Sequence, residues 1–159
     1  MHGLVNRAIE CFLRDTYGDG LWADVGRAAA APPEGFEAML RYPDATTDAL
    51  LAAAAGRLDR SRESILEDIG TYLVSHPNTA PLRRMLRFGG VTFADFLHSL
   101  EDLPGRGRLV VPDLELPVLE LDEDADGALR LICRQGFPGV GRVLRGLLRA
   151  LADDYGALS

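Results

Sequence analysis

The hydrophobic period of this chain changes once, and that change limits the folds open to it. Up to about residue 103 apolar side chains recur at the three- and four-residue spacing of buried helix faces, whereas beyond Pro104 they alternate as strand residues do. The helix nearest the switch is the most informative. Thr92-Phe93-Ala94-Asp95 resembles a capping box, and Phe93, Phe96, Leu97, Leu100 and Leu103 make one apolar face. Residue 104 shares that face, so a side chain there looks into the core. It is a proline, which offers neither a hydrogen-bond donor nor a metal ligand.

Earlier segments repeat the helical signal. Leu4, Val5, Ala8, Ile9, Phe12 and Leu13 form one stripe, broken by Tyr17-Gly18-Asp19-Gly20 before a short segment around Leu21, Trp22 and Val25. "AAAAPPEGFE" (28–37) reads as a loop. Thr46 or Thr47 is placed to cap an Ala-rich helix ending at Leu58, and Ser61 to cap one carrying Ile65, Leu66, Ile69, Tyr72 and Leu73. "SHPNTAP" (75–81) turns the chain, with Thr79 and Pro81 opening "LRRMLRF" and Gly89-Gly90 closing it. After the switch, "LELPVLEL" (114–121) and "ALRLICR" (128–134) predict an antiparallel pair joined through Asp126-Gly127. A last helix follows Pro138, with Val140, Val143, Leu144, Leu147, Leu148 and Leu151 inward and Arg142, Arg145 and Arg149 on another face. The expected architecture is a single α+β domain, a helical layer followed by a hairpin and a helix.

A chain of 159 residues can bury roughly two thirds of its unfolded surface without disulfide or metal support. No run approaches the roughly 18 apolar residues of a membrane span, so no membrane partner is expected. The start shows no basic region followed by an apolar stretch and cleavage site, which predicts a cytoplasmic protein. A net charge of -7 argues against nucleic acid as a partner, because phosphate neutralisation drives that binding. All 17 basic residues are arginine, a usage that fits coding bias in an Ala-rich sequence. Cys11 and Cys133 lack metal-ligand spacing and read as small core residues.

Several motifs resolve to bland readings. Asp122-Glu123-Asp124-Ala125-Asp126-Gly127 matches the opening of a calcium loop, but its twelfth position is Cys133 instead of glutamate and its flanks read as strands, so an acidic hairpin tip is expected. "PGRGR" (104–108), with Arg106 and Arg108, is a weak phosphate-cradle signal. His2, His76 and His98 have no i, i+3 or i, i+4 partner and read as surface or hydrogen-bonded residues, leaving no metal site. Ser64, Ser75 and Ser99 lack a nucleophile elbow, and no acid/base set appears. The chain is therefore expected not to be an enzyme.

"MHGLVNRAIECFLRDTYGDGLW", "YPDATTDALLAAAAGRLDRSRESILEDIG" and "LRRMLRFGGVTFADFLHSLEDL" together resemble the haem nitric oxide/oxygen binding (H-NOX) family, including the N-terminal domain of soluble guanylate cyclase β subunits. The resemblance joins the start motif, Tyr-Gly-x-x-x-Trp, and the Phe-Leu-x-x-Leu-(Asp/Glu)-x-Leu run in the family's order, over residues 1 to 104. It implies an α+β fold with a distal helical part, about residues 1–60, and a proximal part of helices and antiparallel sheet, about 61–159, with haem between them. In the family the residue after the Leu-(Asp/Glu)-x-Leu run is the histidine that ligates haem iron; here it is Pro104. The family's Tyr-x-Ser-x-Arg, which holds the haem propionates, corresponds to Arg130-Leu131-Ile132-Cys133-Arg134, so that only Arg134 matches and Arg130 replaces a neutral donor with a cation. Pro117 matches the proline that presses on the macrocycle, and Val5, Ile9 and Leu73 match apolar distal positions.

The resemblance implies a sensor or regulatory domain read by a signalling partner such as a cyclase, a histidine kinase or a diguanylate cyclase. The departures imply that its haem site is weakened or lost. Candidate ligand-lining residues are Val5, Ile9, Leu73, Leu100, Leu103, Pro104, Pro117, Arg130 and Arg134. Two alternatives stand beside that reading. One is a haem-free interaction module engaging acidic partners through Arg142, Arg145 and Arg149 or through Arg106 and Arg108. The other is a nitric oxide sensor with a non-standard iron ligand, for which Cys133 is conceivable, while His98 lies roughly 240° round the helix from position 104. With no donor among the distal residues, bound haem would hold nitric oxide and carbon monoxide better than oxygen.

Overall fold

The chain starts by capping its own first helix: the Leu4 N–H donates to His2 Nδ1 at 3.1 Å, and α1 runs Gly3–Tyr17. The computed structural model describes residues 1–87, 90–102, 105, 109 and 116–156. It divides into two compact units, Met1–Ile69 and Gly70–Ser159.

In the first unit, α1 buries Ile9, Phe12 and Leu13. Gly18, at φ 93°, breaks the chain as its sequence predicts, but α2 (Asp19–Ala28) restarts at once and takes Gly20 into its first turn. The 29–43 loop is held by aromatic edges: Trp22 and Phe36 lie 6.2 Å apart between ring centroids, and Phe36 and Tyr42 4.8 Å. Gly3 is required beside this loop, because a Cβ there would meet Glu37 O at 2.0 Å and Leu40 O at 2.6 Å. α3 (Asp44–Leu58) begins before Thr46, and neither threonine caps it. Thr47 is buried within the helix, where its hydroxyl is spent on Asn6 Oδ1 at 2.5 Å. Ser61 does cap α4 (Arg62–Ser75), accepting from the Ser64 N–H at 3.1 Å.

In the second unit, the end of α4 leads into a 3-10 turn, Pro77–Thr79, and α5 (Ala80–Arg87). Thr79 does not cap α5; its hydroxyl ties the turn back to Tyr72 O at 3.0 Å and His76 O at 2.9 Å. α6 (Phe93–Ser99) opens on the predicted capping box, Thr92 with Asp95, worth about 1 kcal/mol. It tightens to a 3-10 turn over Leu100–Asp102, which packs against β1 through a Leu121 N–H to Glu101 Oε1 bond of 3.2 Å. β1 (Val118–Glu123) and β2 (Leu129–Arg134) pair antiparallel with Leu119 opposite Cys133 and Leu121 opposite Leu131. α7 (Val140–Asp154) follows. Val74, Phe96, Leu97, Leu100, Leu119 and Leu151 form the core, so the apolar face read around Phe96 is indeed buried. α4 and α7 meet backbone to backbone at Gly70, where a Cβ would lie 1.9 Å from Val143 O, and Thr71 Oγ1 donates to Gly146 O at 3.3 Å. The architecture is mixed α+β, as its sequence predicts.

Candidate functional site

The distal candidates Val5 and Ile9 stand one turn apart on α1, Ile9 buried and Val5 half-buried. Two polar residues share that helix interior. Asn6 is 0% exposed and accepts from Thr47, while its Nδ2 has no partner among the described residues. Glu10 is also buried; its Oε1 accepts from the Phe36 N–H at 3.0 Å and its Oε2 pairs with Arg14 Nε at 3.1 Å. Sequence reasoning over the apolar stripe passed over both. The available signal was a polar side chain directly beside each pocket-matched residue, at 6 and at 10.

Among the proximal candidates, Leu100 is 1% exposed and belongs to the core of the second unit. Leu73, the third residue matched to the distal side, is half-buried on α4. Leu103 and Pro104 lie outside the described residues, as do Arg106 and Arg108. Pro117 is buried directly before β1, and the chain returns past it at Gly136, where φ is 84° and a Cβ would meet Pro117 Cβ at 3.2 Å.

The hairpin sorts its residues by alternation. Leu119, Leu121, Leu131 and Cys133 pack on the core. Arg130, Ile132 and Arg134 therefore share the opposite face with Glu120 and Asp122. Both arginines are exposed, Arg130 at 3.4 Å from Asp124 and Arg134 at 3.4 Å from Glu120. The three positions matched to the family's propionate motif thus lie on one surface. Cys133 points away from it, and burial pushes its thiol above the ordinary cysteine value. Burial likewise raises the Cys11 thiol.

Each histidine has a structural account. His2 is buried in its cap, His76 accepts from the Asn78 N–H at 3.1 Å and packs 5.2 Å from Tyr72, and His98 is exposed on α6. No group of three His, Cys, Asp or Glu residues able to hold a metal occurs among the described residues. Of residues 122–127, Asp122 and Glu123 belong to β1, opposite Arg130 and Leu129, and the tip begins at Asp124, whose N–H donates to Ala128 O at 2.9 Å, with Gly127 at φ 80°. No helix among the described residues is long and apolar enough to cross a membrane.

A family model described as "Haem-NO-binding" matches residues 2–157. The chain belongs to the haem-NO-binding (HNOB, or H-NOX) family. The fold agrees: the H-NOX protein from S. oneidensis, in a structure titled as its Fe(II)NO state, superposes with a TM-score of 0.77 at 16% identity, over 98% of this chain and 86% of that one. The Fe(II) unliganded H-NOX protein from K. algicida gives 0.76 at 17% identity, over 98% and 84%. Among curated proteins, soluble guanylate cyclase 89Db of Drosophila melanogaster is 24% identical over 98% of this chain, and gcy-31 of Caenorhabditis elegans is 21% identical over 97%. The H-NOX chain spans only 23% and 22% of those two relatives.

Proposed function

We propose that this chain is an H-NOX sensor or regulatory domain whose iron-ligation site is degenerate and which signals to a protein partner in the cytoplasm. The carrying observation is Pro104, at the position that the resemblance assigns to the iron ligand. Proline has no side-chain lone pair, and its amide nitrogen is not a ligand at neutral pH. The donor set for haem therefore divides. Arg134, exposed and only 3.4 Å from one carboxylate, is suited to a propionate, and Arg130 adds a second cation on the same face. For iron the set does not fit, since His2 and His76 spend Nδ1 on backbone amides and Cys133 lies on the far face of its strand.

On this reading the chain is one domain with a distal part to about residue 60 and a proximal part beyond. Val5, Ile9, Leu73, Leu100, Leu103 and Pro117 line whatever is bound, with Arg130 and Arg134 at its anionic end. The partner is a cyclase, histidine kinase or diguanylate cyclase, and coupling to it requires a ligand that binds two states of the domain unequally. A second reading, a haem-free interaction module, draws on the exposed stripe of Arg142, Arg145 and Arg149 along α7.

Titration of the purified chain with haemin, followed in the Soret region with and without nitric oxide, tests the proposal. The native chain is expected to show no histidine-ligated spectrum, and P104H to gain one that shifts with nitric oxide. A histidine-ligated haem in the native chain would overturn the reading. Failure of P104H to gain haem favours the interaction module.

A further inference from the structure

α5 carries Arg83, Arg84 and Arg87, which with Ala80 and Asp154 line a cavity of about 490 Å³ in the second unit. The four charged side chains sum to +2, in a chain whose net charge is -7. This cationic concentration runs against the molecule's overall sign, and it is built, not scattered. Asp154, at the end of α7, is only 19% exposed and is gripped by both Arg83 and Arg87, the Arg83 Nε to Oδ2 bond measuring 3.3 Å. Arg87 also donates to Asp154 O at 3.4 Å and lies 3.8 Å above the Tyr155 ring. Tyr155 is fixed in turn by its hydroxyl donating to Gly90 O at 3.1 Å and by packing against Phe93 and Phe96. Arg84 is exposed and makes no ion pair among the described residues.

We propose that this cavity is a binding site for the phosphate group of a small molecule, with Asp154 as the occupant that the phosphate displaces. Guanidinium forks match oxoanions through paired N–H bonds, and two of the three forks here already hold one. A carboxylate has two oxygens and one charge. It satisfies Arg83 and Arg87 and leaves Arg84 and two positive charges over, whereas a phosphate brings three terminal oxygens and about two charges. The cavity is within the usual size of a small-molecule site, roughly 300 to 1,000 Å³, and larger than inorganic phosphate alone requires. Exchange has a structural consequence, because releasing Asp154 frees the last turn of α7 from α5.

The test is calorimetric titration of the full chain with inorganic phosphate, pyrophosphate and a nucleoside triphosphate, against sulfate and citrate at matched ionic strength. Saturable binding of the phosphates is expected, the strongest of the three showing whether the source is free phosphate or a phosphorylated ligand. R84Q touches no ion pair among the described residues and should weaken binding by about tenfold. D154N should melt lower in phosphate-free buffer yet bind phosphate about tenfold tighter, since it removes the competitor. A purely structural ion pair would lower the melting point and leave affinity unchanged, which overturns the proposal. So do an equal response to citrate, or an R84Q chain that binds as the native one does; sulfate, a dianion of the same shape, is expected to compete with inorganic phosphate. If D154N fails to fold, R84Q decides the matter alone.

Discussion

Substituting Gly70 by alanine is the most direct test of how α4 and α7 are packed. A Cβ at Gly70 would sit 1.9 Å from Val143 O and 2.7 Å from Leu147 N, both backbone atoms that no rotamer change can move. Carbon and carbonyl oxygen need at least about 3 Å, so the helices must separate by about 1 Å at the crossing. Overpacking of this kind costs about 1–3 kcal/mol, and a gap of that width forfeits a quarter to a half of each neighbouring dispersion contact, adding about 1 kcal/mol. Against this, removing a helix glycine returns about 0.5–1 kcal/mol. The net is a loss of about 1–3.5 kcal/mol, a fall of about 2–14 °C in thermal midpoint for a chain of this size. Gly56, in α3 with nothing within 4 Å of its Cβ position, is the internal control. G56A should gain about 0.5–1 kcal/mol. If G70A melts at or above the native temperature while G56A behaves as expected, the backbone contact between α4 and α7 is wrong.

Other substitutions read separate features of the fold. G3A, whose Cβ would meet two carbonyl oxygens of the 37–40 loop, should cost at least as much as G70A in urea denaturation. T47V removes the only described donor to Asn6 and leaves that buried amide unpaired, a loss of about 1–3 kcal/mol by thermal melting. T92A should cost about 1 kcal/mol by the same measurement, through loss of the α6 cap. Burial pushes the Asp154 carboxyl up, but the hydrogen bonds and charges of Arg83 and Arg87 outweigh it and hold it below its ordinary 3.8. Its stabilising contribution is thus complete above that value and lost as pH falls below it. D154N should flatten the acid limb of the stability profile below about pH 4 and leave the neutral limb shallow.

Periodic features of the fold were legible in the sequence, and tertiary ones were not. The helix face around Phe96, the capping box at Thr92 and the Asp-Gly hairpin each depend on residues close in the chain, and all three form. Thr46 and Thr47 look like caps locally, but a buried asparagine 41 residues away claims the Thr47 hydroxyl. Thr79 is likewise diverted to carbonyls of the preceding turn. At the candidate site, the sequence reads as an alternating strand without sorting its faces; the pairing places positions 130, 132 and 134 on one face and Cys133 on the other. The Arg83–Asp154–Arg87 clasp spans 71 residues and left no local pattern to read.

The polar residues that secure this fold and the two arginines that would hold a cofactor's anionic end are different residues, although the apolar candidates Ile9 and Leu100 also belong to the core. Gly3 and Gly70 permit backbone contact, Asn6, Thr47 and Glu10 anchor segments from within, and Asp154 clasps two helices. None of them donates to an iron or accepts a place in the propionate motif. Arg130 and Arg134, conversely, are exposed and held only by single carboxylates at 3.4 Å, so little stability depends on them. A chain arranged this way can lose its iron ligand and stay folded. That separation is what makes P104H interpretable: the substitution interrogates ligand chemistry at one position, while the interactions that define the two compact units lie elsewhere in the sequence.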